Sequence, residues 1–397
     1  LSSDSLVMRA GEGSKLYFAK LKINGDELEL GNLDITGLDL EINGKQITIN
    51  GNISADSIII NAQDDDSYAL SQEGSLGKSS MTDTGTEINL DFWNFDFETN
   101  AMIHVAQGAA LNAKNNIFLN ASSVQTQPIF NFKVGNLLNV SFPLVVKVGL
   151  AEIGIDGVLN AGGRVEAESS TRIAVKTNNE LYQHFRLPLS VVIVTADAHT
   201  DVSNTGVINS GSSTKLSSKA EVTTSAVATI GMIPVSLALS VVSVDAGTTV
   251  DGVIHAGGNI DLLAEAYSNV TTISQEDPPV DMLTVHNTTG NAGTSVAPPP
   301  PPANGSFSFG GFFAVAVVLQ DCRALVTEAA QLTSGADINI TSKSIEKART
   351  VAQSSMKNAA GQNQAMDLGS ITGIMTGILG MVKDAPITTM LSQVGLQ

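Results

Sequence analysis

Histidine is the side chain whose ordinary pKa lies nearest neutral pH, and the five here, His104, His184, His199, His255 and His286, are spread across the 397 residues. Proton abstraction beside a carboxylate needs a base, with Arg, Lys or calcium to neutralise that carboxylate. One short stretch, Tyr182-Gln-His184-Phe-Arg186, holds acid-base and cationic members together. It falls between two repeated segments and reads as a connecting loop, so no residue is expected to be catalytic. Hard oxygen ligands for calcium are available at Asp64, Asp65 and Asp66, and at Asp91, Asp96 and Glu98 on alternating strand positions. Neither set has the spacing of an EF-hand, and the stretch from Ala256 to Asp261 lacks the glycines of calcium-binding nonapeptides. Solvated acidic turns are the favoured reading, with no cofactor expected and calcium the one candidate.

These residues sit on a degenerate repeat of roughly 46 to 49 residues. Its clearest copies open Asp156-Gly-Val-Leu-Asn-Ala-Gly-Gly, Thr205-Gly-Val-Ile-Asn-Ser-Gly and Asp251-Gly-Val-Ile-His-Ala-Gly-Gly, whose lead glycines Gly157, Gly206 and Gly252 are 49 and 46 residues apart. Strands opened by Pro143, Pro188 and Pro234 precede them at spacings of 45 and 46 residues. Weaker copies around Gly51, Ala109 and Ala330 bring the count to six units. A fixed period with drifting side chains is the signature of a stacked repeat architecture. His255 takes the place of Asn160 and Asn209, and it is read as a turn residue.

Within each unit the apolar period is two, as in half-buried strands, with Asn-Gly, Asp-Gly and Gly-Gly turns between them. The expected fold is all-β, a parallel β-helix. Three short strands and three turns per coil would place two coils in each repeat, giving a rod of about 55 to 60 Å at the ladder spacing of ~4.8 Å. The strands led by Pro143, Pro188, Pro234 and Phe312 are expected to form one sheet. Offsets of 18 residues from Pro188, Pro234 and Phe312 to Gly206, Gly252 and Ala330 set their register, and Leu237 is expected between coils.

Composition suits a solenoid. Hydrophobic residues make up 43 % of the chain and aromatics only 5 %, so Val, Ile, Leu and Ala must fill the core. A net charge of −18 argues against nucleic acid as a partner. With Cys322 as the one cysteine there is no intrachain disulfide framework. No apolar run reaches the roughly 18 to 20 residues of a membrane span. The chain begins at Leu1 without a charged-then-apolar leader, which suggests a processed product or a piece of something longer.

Residues 1–100 read as an irregular β-solenoid or capping region, repeating in shorter steps, and 101–361 as the repeat solenoid. A Pro-rich loop, 275–311, interrupts the solenoid, and its five consecutive prolines at 298–302 cannot pair in a ladder. The segment 362–397 is apolar and Gly-rich, with Gly369, Gly373 and Gly377 at four-residue spacing beside Leu368, Ile371 and Met375, and it could form a short helix or extended cap.

The combination of a Pro-led apolar strand, Asp or Thr before Gly-Val-Ile, and an Ala-Gly-Gly turn resembles the β-strand repeats of very large secreted bacterial surface proteins. Filamentous-haemagglutinin-like adhesins and autotransporter passenger regions are of this type. The resemblance covers residues 101–355 and implies a right-handed parallel β-helix at the cell surface or outside the cell. It also implies a non-enzymatic structural or adhesive role, with self-association, neighbouring solenoid segments, or a host-cell, matrix or polysaccharide ligand as partner. Two alternatives are a subunit of a homopolymeric extracellular filament and a polysaccharide lyase or epimerase. A cleft with clustered Asp, Arg or Lys on one sheet face would favour the enzyme.

Overall fold

The computed structural model describes residues 20–65, 79–81, 88–90, 98–127, 144–179, 189–230, 235–276 and 311–353. The proline run and the segment 362–397 lie outside them. Every regular element among the described residues is a strand, and all but one hairpin, β8 (Ser79–Met81) with β9 (Ile88–Leu90), belong to three parallel sheets.

Sheet A stacks β1 (Lys20–Asn24), β4 (Asp39–Gly44), β7 (Ser57–Asp65), β12 (Ile117–Gln127), β15 (Val165–Asn179), β18 (Thr214–Ile230), β21 (Ile260–Glu276) and β24 (Ile338–Gln353). Sheet B stacks β2 (Glu27–Leu30), β5 (Gln46–Ile49), β10 (Glu98–Val105), β13 (Leu144–Ile155), β16 (Leu189–Val202), β19 (Val235–Val250) and β22 (Gly311–Val326). Sheet C stacks the short strands β3 (Leu33–Asp34), β6 (Asn52–Ala55), β11 (Ala110–Ala113), β14 (Val158–Ala161), β17 (Val207–Ser210), β20 (Val253–Ala256) and β23 (Gln331–Ser334). The chain visits A, B and C in turn and then returns to A one strand further along, so the fold is a parallel β-solenoid.

One repeat is one coil, not two. Phe118 pairs with Glu166, Glu166 with Lys215 and Lys215 with Asp261, at steps of 48, 49 and 46 residues. The two-coil arithmetic fails because strands of A and B are not short: β15, β16, β18 and β19 contain 15, 14, 17 and 16 residues. They run past the three-sided section as a pair of arms packed face to face. The eight strands of sheet A therefore span about 34 Å at ~4.8 Å per step, shorter than the expected rod. The first coils lack arms: Lys20 pairs with Asp39, and Asp39 with Ser57, at 19 and 18 residues. This accounts for the shorter steps read in the N-terminal sequence.

Alternation gives each strand one core face. Along sheet C, Ile53, Leu111, Leu159, Ile208 and Ile254 stack in one column and are all fully buried. Each contributes about 1.5–3 kcal/mol of apolar burial. This column belongs to the core of the three-sided section, and a second core between the arms is built from Val and Ala, including Val192, Val194, Val222, Val242, Ala220 and Ala246. Buried hydroxyls lie between and beyond these two cores. Thr200 donates to the Ser217 carbonyl at 3.0 Å and lies 3.0 Å from Ser169 Oγ, and Thr272 donates to Ser240 Oγ at 2.7 Å. Glycine is required where coils touch at their corners. A Cβ at Gly162, Gly211 or Gly257 would run into the carbonyl oxygen of the residue stacked beneath it.

The apolar strands β13, β16, β19 and β22 do stack as one sheet, but in a shifted register. Leu189 pairs with Leu237, and Ser236 with Phe312. The step from β16 to β19 is thus 48 residues rather than the 46 between the prolines. The bend from sheet B to sheet C absorbs the difference, with four residues between Val202 and Val207 but two between Val250 and Val253. Leu237 is correspondingly half-buried on the outer face, while its neighbours Ser236 and Ala238 point inward.

Val242, fully buried between Val194 and Val318, is the position where a charge would be trapped between coils. Val242→Asp should cost several kcal/mol and should accelerate amide exchange first in β16, β19 and β22. Leu237→Asp should leave those amides nearly as protected as in the parent. Equal loss of protection in the two variants would show that the inward and outward faces are misassigned.

Candidate functional site

Outward positions of sheet B carry a cluster of charge built by register alone. Asp197 on β16 pairs with Asp245 on β19, and Asp245 with Asp321 on β22. Two residues further along, His199, Gly247 and Arg323 form the next column, and Asp201, Thr249 and Leu325 the one after. At coil spacing, two such carboxylates near a protein surface repel by about 3 kcal/mol, so the ladder requires nearby cations. Arg323 provides one, 3.4 Å from Asp245 Oδ2 and 3.2 Å from Asp321 Oδ2. His199 Nε2 lies 3.9 Å from the same Asp245 oxygen. Gly247 makes room for it, because a Cβ there would lie 2.7 Å from His199 Nδ1.

The carboxylates are not equivalent. Burial pushes Asp197 up to about 6, with His199 opposing the rise and the Asp245 carboxylate adding to it. Burial also raises Asp201, partly offset by a hydrogen bond with Thr249 and by His199. Asp245 is held by its ion pairs on one oxygen, while its Oδ1 is buried without a hydrogen-bond partner. A protonatable carboxyl beside an ion-paired one, with His and Arg adjacent, is a set of groups able to give and take a proton.

Sequence reading missed Asp197, Asp201, Asp245, Asp321 and Arg323. The repeat was visible, but a column of aspartates emerges only when the 48- and 76-residue pairings are used in place of the spacing between prolines. Of the residues singled out beforehand, His104 lies on the outer face of β10, its Nε2 3.3 Å from Asp156 Oδ2. His255 does replace Asn160 and Asn209, but in strand β20 rather than a turn: the pairing runs Asn112, Asn160, Asn209, His255, Thr333 along sheet C. Tyr182, His184, Arg186 and His286 lie outside the described residues.

The same is true of the calcium candidates Asp66, Asp91 and Asp96. Asp64 has both oxygens engaged, one 3.0 Å from Lys45 Nζ and the other accepting the Asn100 amide at 2.9 Å. Asp65 follows it at the end of β7. Among the described residues no group of three or more His, Cys, Asp or Glu is placed to hold a metal ion.

Amide ladders complete the outer surface. Asn43 donates to Asn24, Asn61 to Asn43 and Asn120 to Asn61 on sheet A at 2.9 to 3.0 Å, and Asn160 to Asn112 and Asn209 to Asn160 on sheet C at 2.8 Å. Comparison with protein-family models, with curated proteins and with solved structures finds no match.

The raised Asp197 pKa has a definite sign. The folded state binds this proton more tightly than the unfolded chain, so its contribution to stability is complete below about pH 4 and is lost as pH rises through about 6. Asp197→Asn should therefore stabilise the protein at pH 7 by about 1–2 kcal/mol, with the gain vanishing near pH 4. Denaturant midpoints at the two pH values measure this; an equal effect at both would place the shift elsewhere.

Proposed function

We propose that this chain is a non-enzymatic structural and adhesive element of a bacterial cell surface or extracellular matrix, presenting a rigid β-solenoid rod to a host-cell, matrix or polysaccharide partner. The observation that carries this reading is the unbroken register of three parallel sheets. Seven or eight strands deep, they hold outer side chains in straight ladders, which suits repeated weak contacts along a surface more than a single convergent site. The acidic charge of −18 keeps such a rod soluble and directs it away from polyanions.

The ends of the described stack bear on the filament alternative. One end is β1, β2 and β3, with 5, 4 and 2 residues; the other is β22, β23 and β24, with 16, 4 and 16. Direct pairing of these two described sets of strands, head to tail, would leave the long arms unpaired.

A polysaccharide-acting enzyme keeps one supporting observation, the grouping of Asp197, Asp245, Asp321, His199 and Arg323 on one sheet face. Four carboxylates, counting Asp201, outnumber the cations there. That balance suits proton transfer between carboxyls better than binding of a uronate, so hydrolysis fits the cluster more closely than elimination.

Beads coated with the purified chain should be retained on host-cell, matrix or polysaccharide surfaces. The same preparation should release no reducing ends or unsaturated products from bacterial or plant polysaccharides. Turnover abolished by Asp197→Asn or Asp245→Asn would reverse the ranking. Turnover abolished by His184→Ala, a loop residue by its sequence, would do so too.

A further inference from the structure

A groove of about 750 Å³ runs along the outer face of sheet C, crossing the stack rather than following any strand. Its floor presents one polar side chain per coil: Ser54, Asn112, Asn160, Asn209, His255 and Thr333. Five steps between six coils make this row about 24 Å long. One flank is bare because Gly162, Gly211 and Gly257 line it, and the close approach of successive coils forbids a side chain at each.

We infer that this groove binds a neutral, linear polysaccharide lying parallel to the solenoid axis. The inference rests on the adhesive reading and specifies its ligand and its site. Each asparagine in the ladder spends one N–H or one oxygen lone pair per neighbour. Asn160, which donates to Asn112 and accepts from Asn209, still keeps one N–H and one lone pair. A donor and an acceptor on the same amide match the neighbouring hydroxyls of a sugar ring. An extended β-1,4-linked sugar chain advances by roughly one ring per coil at the ~4.8 Å ladder step; alternate rings are turned over, and an amide that offers both a donor and an acceptor can meet the hydroxyls of either ring edge.

Charge selects against other polymers. Among the described residues, Lys114 is the only permanently charged one lining the groove and no carboxylate lines it. A polyanion would be repelled by the net charge of −18, and a polycation would be drawn to the carboxylates of sheet B. An extended peptide is a poor match: its residues advance ~3.4 Å each, out of step with the row. The groove crosses the strands of sheet C, whose backbone groups are engaged with their neighbours from β6 to β20, so a peptide lying in it could not add as a strand.

The test uses the full chain, with cellohexaose and chitohexaose as neutral probes and an oligogalacturonate of equal length as the acidic control, measured by titration calorimetry. A neutral hexamer should bind, with affinity rising with chain length until about five or six rings fill the row, and the acidic probe should not. Asn160→Ala with Asn209→Ala should weaken binding at least about tenfold. Because loss of the ladder could also loosen the coils, His255→Leu serves as the second variant. It removes a hydrogen-bonding side chain from an exposed position of the row, outside the asparagine ladder, and should weaken binding with an unchanged circular dichroism spectrum. Failure of both neutral hexamers to bind, or binding unaltered by either variant, overturns the inference. Bead adhesion without oligosaccharide binding would remove the groove ligand and leave the adhesive reading in place; oligosaccharide binding without bead adhesion would do the reverse.

Discussion

The parallel backbone ladder governs everything else in this molecule. It fixes a step of ~4.8 Å between coils, and that single distance decides which residues may occupy each column. At the corners, carbonyl groups stacked at this spacing leave no volume for a Cβ, so Gly162, Gly211 and Gly257 recur. In the interior, apolar side chains rest on their equivalents, and each coil buries its neighbours' core as well as its own. A solenoid of this kind needs no wide globular core, since every added coil brings its own buried column.

The same ladder makes outer-face chemistry collective. A polar residue repeated in register becomes a row, and its effect depends on sign. Asparagines gain from the repetition because each amide donates to the next. Aspartates lose from it, and the row on sheet B persists because Arg323 and His199 lie against it. Asp197, stacked on Leu150 at the inner end of the row, has its pKa raised chiefly by burial, with the Asp245 carboxylate a smaller contributor. Surface ladders of charge and of amide are thus opposite solutions to one geometric constraint.

Arms of increasing length distinguish the later coils from the first ones. The coils between Lys20 and Asp65 contain three short strands, and their core is Ile and Leu. From β12 onward the strands of A and B extend, and the added core is Val and Ala, with Ser and Thr hydroxyls satisfied between the sheets. Small side chains let two sheets pack closely over a long arm, which explains a chain with 43 % hydrophobic but only 5 % aromatic residues.

Periodicity in the sequence was sufficient to determine the all-β class, the stacked architecture and the equivalence of Asn160, Asn209 and His255. Each of these follows from local alternation or from a turn that must recur once per coil. The number of coils per repeat was not legible, because strand length depends on whether two sheets pack against each other beyond the three-sided section. Register was off by two residues between β16 and β19, since bends of two and four residues both satisfy the corner and sequence spacing counts them alike. That shift preserves the inward and outward alternation, and it is what stacks Asp197 on Asp245. The acidic cluster and the groove over sheet C exist only between coils, where residues 46 to 78 apart in the chain become neighbours, so the tertiary structure alone could decide them.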